Sequence, residues 1–137
     1  MKNVAILLRA LQLYAHEAHN KHCGGCNFLQ NHEFLGELYA AFESDYDSVV
    51  ERIIGLTGDC DIDSITESAA EIACKAKTGD ALTAFAVLMA TENNLRDLCT
   101  KENKSATLGT QNLLQGIADK SEMRHYKYQQ LLKARDE

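Results

Sequence analysis

The chain contains no proline and no tryptophan among its 137 residues. Without proline nothing in the sequence forces a helix to break, so long uninterrupted helices are allowed. No stretch approaches the ~18 consecutive apolar residues of a membrane span, so none is expected to cross a bilayer. Alternating apolar–polar runs, internal repeats and low-complexity linkers are also missing, which excludes a strand-rich fold, a solenoid and a string of modules. Positive charge is scarce: 14 Lys and Arg stand against 20 Asp and Glu, for a formal charge of −6. Lys2 and Arg9 are the first basic residues and do not make a basic tail. Binding to nucleic acid through the phosphate backbone is therefore not expected. The start, MKNVAILLRALQLYAHEAH, is apolar only in patches and lacks a small-residue cleavage site, so it does not read as a signal peptide. Five cysteines, an odd number at irregular spacing, point to free thiols in a reducing cytoplasm and not to a disulfide framework. Cys74 and Cys99 fall within helical patterns and are expected to be buried as small hydrophobes.

What is present is helical periodicity. Apolar residues make up 45% of the chain and charged ones 25%, an ordinary balance for one globular domain over residues 1–137. Val4, Leu7, Leu8, Leu11 and Tyr14 recur at steps of three and four, which predicts a helix over about residues 3 to 20. Cys23-Gly24-Gly25-Cys26 breaks it, with Asn27 a candidate cap for the next helix. Phe28, Phe34, Leu35, Leu38, Phe42, Tyr46, Val49, Val50, Ile53 and Ile54 predict a second helix of nearly thirty residues, stopped near Gly55 to Gly58. A shorter helix is expected at about 63 to 77, capped by Asp63 or Ser64 with Glu67 placed for a capping box. Leu82, Phe85, Leu88, Met89, Leu95 and Leu98 mark a helix of about 80 to 102. The last, from Ser105 to about 134, carries Leu108, Leu113, Leu114, Ile117, Met123, Tyr128, Leu131 and Leu132. Four long helices with a short one between the second and third give an all-α four-helix bundle.

Three groups of residues carry potential chemistry. The stretch HEAHNKHCGGCNFLQNH, residues 16 to 32, holds four of the five histidines and two cysteines. His19, His22, Cys23 and Cys26 supply the four N/S ligands that a local zinc site takes, although a second CxxC is missing. The plainer reading of the cysteines is a glycine-rich turn, and His16 and His22 read as surface or interface residues. On the second helix Asp47 and Glu51 are four apart and share a face, where two carboxylates can hold one cation. A solvated acidic stripe with Glu43 and Asp45 is the bland alternative. His32 precedes Asp47 by fifteen residues, about 22 Å along a helix, so one chain cannot bring them to one ion. A two-fold axis near Tyr39 to Phe42 would run two copies antiparallel and set His32 of one beside Asp47 and Glu51 of the other. Finally, Glu122-Met-Arg-His125 is an ExxH, and with Glu17 and Glu92 it offers a partial set for a metal pair inside one bundle. The second ExxH of such a set is absent, so this ranks below the inter-subunit site.

The stretch from His32 to Arg52, with its DxxxER, resembles the Dps family (DNA-binding proteins from starved cells), ferritin-like miniature iron-storage shells. Phe28-Leu-Gln-Asn-His32 is similar to the family's FxxLH, and Tyr46-Asp-Ser-Val-Val-Glu-Arg-Ile53 to its DxxxERI. The motifs cover about residues 14 to 56, as in a divergent, phage-like member, while the helix order covers most of the chain. The resemblance implies a ferritin-like four-helix bundle assembled as a homo-oligomer, at least an isologous dimer and classically a dodecameric shell, in the cytoplasm. It implies Fe(II) oxidation by peroxide or oxygen at a dimer-interface site, with storage or detoxification of iron. The implied ligands are His19 and His32 from one subunit and Asp47 and Glu51 from the other, holding one or two irons, with zinc able to take their place. Two positions depart from the pattern. The family aspartate four residues after the second histidine falls on Gly36, with Glu37 pointing about 100° away. Strict spacing puts the first histidine on Asn20, and His19 fits if the loop has gained one residue, with His22 the other substitute. These departures sustain an alternative: a catalytically inactive ferritin-like bundle serving assembly or interaction, with a structural metal at most.

Overall fold

Apolar stripes at helical spacing need partners, and the five helices satisfy one another. The computed structural model describes residues 1–22, 24–76 and 79–133. Among these residues there are five α-helices and no strand: α1 Lys2–Lys21, α2 Phe28–Thr57, α3 Ile62–Lys75, α4 Ala81–Asn103 and α5 Leu108–Lys133. The four long helices close a ring of contacts, α2 to α1, α1 to α4, α4 to α5 and α5 back to α2. The short α3 lies outside that ring against α1.

The core is drawn from the stripes read from the sequence, except that Ile54, Leu108 and Met123, named there as stripe residues, are exposed. Leu8 and Leu11 of α1, Leu35, Leu38 and Phe42 of α2, Phe85, Leu88 and Leu95 of α4, and Leu114 and Ile117 of α5 are all essentially buried. Each such side chain contributes about 1.5–3 kcal/mol by leaving water. Phe34, Phe85 and Tyr128 join α2, α4 and α5 in one aromatic cluster, with ring centroids 5.6–6.4 Å apart.

The helix ends follow local chemistry, with some differences from expectation. Gly58 stops α2 with φ +88°, a left-handed conformation that costs glycine little, and its N–H reaches the Ile54 carbonyl at 2.8 Å. Asn27 stands at the start of α2 but makes no side-chain cap bond. The cap of α3 is Asp61, two residues earlier than expected. Its carboxylate accepts from the Ser64 N–H at 3.1 Å, because helical backbone already begins at Ile62. Asp80 caps α4 by accepting from the Thr83 N–H and hydroxyl, each at 2.8 Å. Cys99 is buried as expected, but Cys74 is exposed. The inward face of α3 is Ile65, Ala69 and Ala73, and Cys74 lies about 100° round the helix from Ala73.

Candidate metal centre

Among the candidate ligands, the structure brings His19 and His32 together. His19 lies in the last turn of α1 and His32 in the second turn of α2, and their rings stack with centroids 3.7 Å apart and planes 20° apart. Each ring bonds the other residue's main chain: His19 Nδ1 to the His32 carbonyl at 2.8 Å, and His32 Nδ1 to the His19 carbonyl at 3.1 Å. A carbonyl oxygen only accepts, so both Nδ1 atoms carry the proton. In the neutral rings both Nε2 atoms then present lone pairs, and neither has a hydrogen-bond partner among the described residues. Metal-ligating histidines are commonly oriented in this way, by a second nitrogen donating to a carbonyl. The His19 carbonyl lies in the last turn of α1, so the same bond serves a carbonyl at the helix end.

Other rings extend the pair. Tyr39 stacks on His16 at 4.1 Å and meets His19 edge-on at 5.3 Å, while Phe28 packs against His32 at 5.0 Å. His16 is exposed, and His22 is half-buried at the end of α1. Of the proposed local zinc set, Cys23 lies outside the described residues and Cys26 is exposed. Gly36, one turn beyond His32, offers no donor.

Asp47 and Glu51 are exposed, one turn apart, and form no ion pair among the described residues. They lie on the same uninterrupted α2 as His32, about 22 Å along its axis by helical rise, as the sequence required. Asp45 does not belong to this exposed stripe. It is buried and accepts from Lys120, while its Oδ2 is buried without a partner.

In the bundle interior Glu92 is held by an ion pair that the sequence pattern did not single out. Glu92, fully buried, accepts from Arg124 Nε at 2.9 and 3.1 Å, from Arg124 Nη2 at 2.6 Å and from the Tyr128 hydroxyl at 2.6 Å. The guanidinium also lies over the Phe42 ring, 4.8 Å from its centroid. Burial, and then the Glu92 charge, push the Tyr128 phenol far above its usual range. The inward residue of Glu122-Met-Arg-His125 is thus the arginine. Glu122 is exposed, His125 stands beside Arg96 Nη2 at 3.5 Å, and exposed Glu17 pairs with Lys21 at 3.5 Å. One signal was available: Arg124 and Tyr128 are four apart and continue the stripe of Leu114, Ile117 and Ser121.

Among the described residues of one chain, no three His, Cys, Asp or Glu side chains converge on a point that could hold a metal ion. Each Nε2 of the His19–His32 pair is a neutral nitrogen donor of the kind a borderline transition metal takes, but rings stacked 3.7 Å apart hold the two lone pairs in nearly parallel planes that do not converge on one ion. No helix is long and apolar enough to cross a membrane among the described residues. Compared with known proteins, the chain matches no family model, no curated protein and no solved structure.

Proposed function

We propose that the chain is a ferritin-like, Dps-type protein that takes up Fe(II) at a site completed by a second copy of itself, oxidises it and retains the product. The observation that carries this reading is the His19–His32 pair. Its Nδ1 atoms are committed to backbone carbonyls and its Nε2 atoms are left to a ligand. The order of four long helices with a short one between the second and third supports it. So does the position of Asp47 and Glu51, exposed on the same helix and without an ion pair among the described residues. Two copies of α2 crossing antiparallel near residue 40 would place His32 of one beside Asp47 and Glu51 of the other. The two imidazoles then supply neutral nitrogen, and the carboxylates supply the anionic oxygen that favours the ferric product. Each Fe(II) gives up one electron. Two of them reduce one peroxide, with two protons, to two waters. Exposed Glu33, Glu37 and Glu43 on the same helix would draw cations towards the site. The assembly would be a homo-oligomer, up to a twelve-subunit shell, in the cytoplasm, with zinc able to occupy the same ligands.

Gly36 favours a second reading, because it supplies no donor where the resemblance places an aspartate. The bundle would then hold a metal structurally, or none, and serve assembly. Fe(II) titration of the metal-free protein with hydrogen peroxide separates the two readings, with the ferric absorbance followed beside a His32→Ala control. Fast oxidation that the control loses supports the ferroxidase. Oxidation no faster than buffer overturns it and leaves the structural bundle.

A further inference from the structure

We infer that Gly36 is the positioning residue of the histidine pair: the side chain it lacks is the space that the His19 ring occupies. A helical side chain covers the turn N-terminal to its own Cα, so residue 36 would cover the turn that carries the His32 carbonyl. With glycine there, that patch is bare. The His19 ring lies on it, and its Nδ1 reaches the His32 oxygen at 2.8 Å. A Cβ built at position 36 would meet His19 Cε1 at 3.3 Å, tight enough that the ring must give by a few tenths of an ångström, and Nδ1 at 3.4 Å, the edge of ordinary contact. The ring has little freedom to retreat, because His32 stacks at 3.7 Å and Tyr39 stands edge-on at 5.3 Å. Gly36 is not at a turn, and its conformation is helical, so backbone strain does not require glycine there.

The consequence concerns the donor set and rests on the metal reading above. A carboxylate at position 36 would not complete the site; it would displace His19 and exchange a nitrogen donor for an oxygen. The histidine half of the site is built as two imidazoles with no carboxylate. Each imidazole would serve a nitrogen-preferring ion such as Zn²⁺ or Co²⁺ at least as well as iron, and the near-parallel stacking directs the two Nε2 lone pairs to separate ions.

The test compares wild type with Gly36→Ala, Gly36→Asp and Gly116→Ala. Gly116 is a helical glycine of α5 with nothing within 4 Å of an added Cβ. Imidazole nitrogen NMR of the metal-free proteins in alkaline buffer reads the tautomers, and Zn²⁺ titration calorimetry reads affinity. The expected result is two Nδ1–H imidazoles in wild type and in Gly116→Ala. Gly36→Ala and Gly36→Asp should disturb the His19 signals, and Zn²⁺ binding should weaken by about tenfold or more, as when a ligand's orienting partner is lost. Unchanged His19 signals in Gly36→Ala would overturn the inference, as would tighter Zn²⁺ binding by Gly36→Asp. If wild type binds no Zn²⁺ but Gly36→Ala still disturbs His19, the positioning role stands and the metal reading fails. A double variant guards against a folding defect. With His19→Ala already present, Gly36→Ala should raise the unfolding midpoint, because only the helix preference of alanine remains. A lowered midpoint in that background would also overturn the inference.

Discussion

In the bundle interior the Glu92 carboxylate meets every donor it can use, two from Arg124 and one from Tyr128, and no face of it is left for a ligand. At the rim, where α1 ends and α2 begins, His19 and His32 are satisfied on one side only. Their Nδ1 atoms are spent on carbonyls and their Nε2 atoms are not. Both clusters cross between helices and both hold polar groups in one geometry. A polar group bonded on all sides specifies how helices pack. One bonded on a single side is oriented and still available for chemistry. Asp45 falls between these cases, with one oxygen on Lys120 and the other buried and unpartnered.

The largest effect is expected from breaking the closed cluster. Arg124→Ala leaves the Glu92 charge buried and uncompensated, and should cost about 3–5 kcal/mol in urea unfolding. Replacing both Glu92 and Arg124 by leucine, with Tyr128→Phe so that no hydroxyl is left buried without its acceptor, should recover most of that loss. If the single variant costs no more than a surface substitution, the interior cluster is not the closed unit described.

The open half of the comparison is sharpened by Asp47→Ala combined with Glu51→Ala. Both side chains are exposed and free of ion pairs among the described residues, so stability should change by no more than about 0.5 kcal/mol. Metal binding should be lost. Undiminished binding in the double variant would sink the two-fold site.

A smaller effect than that of the interior cluster is expected from the intermediate region. Burial, then Asp45 and Glu102, push the Cys99 thiol up from 9.0 to about 11. Between these values the unfolded thiol has lost its proton while the folded one keeps it. Stability should therefore fall as pH rises from about 9 to about 11. The buried Tyr128 phenol acts in the same direction at higher pH. Cys99→Ala should flatten the lower part of this slope in pH-dependent thermal unfolding.

The apolar stripes and the helix limits were legible because both depend on residues three or four apart. Val4 to Tyr14 marked the inner face of α1 and Leu35 to Val50 that of α2, while Ile54 turned out exposed, and Gly58 marked a stop. Errors arose where two local solutions compete. Asp61, Asp63 and Ser64 are all plausible caps, and only the backbone at Ile62 decides among them. Cys74 lies off the core because α3 has a narrow inward face, packed chiefly on α1. His19 and His32 were singled out as ligands, but not as a stacked pair. Arg124 was passed over in favour of its neighbours Glu122 and His125.

By itself, then, the sequence determined five helices, their lengths, the stripes they bury and the roughly 22 Å that separate His32 from Asp47 on one helix. These arise from a repeat of 3.6 residues and a rise of about 1.5 Å, which act within a helix whatever surrounds it. Only the tertiary structure decided which polar groups are closed and which remain open. Glu92 and Arg124 are 32 residues apart and His19 and His32 are 13 apart, so both pairings depend on how one helix is turned and slid against another. That register is set by the packing of the whole core, in which a missing side chain at Gly36 counts as much as a present one.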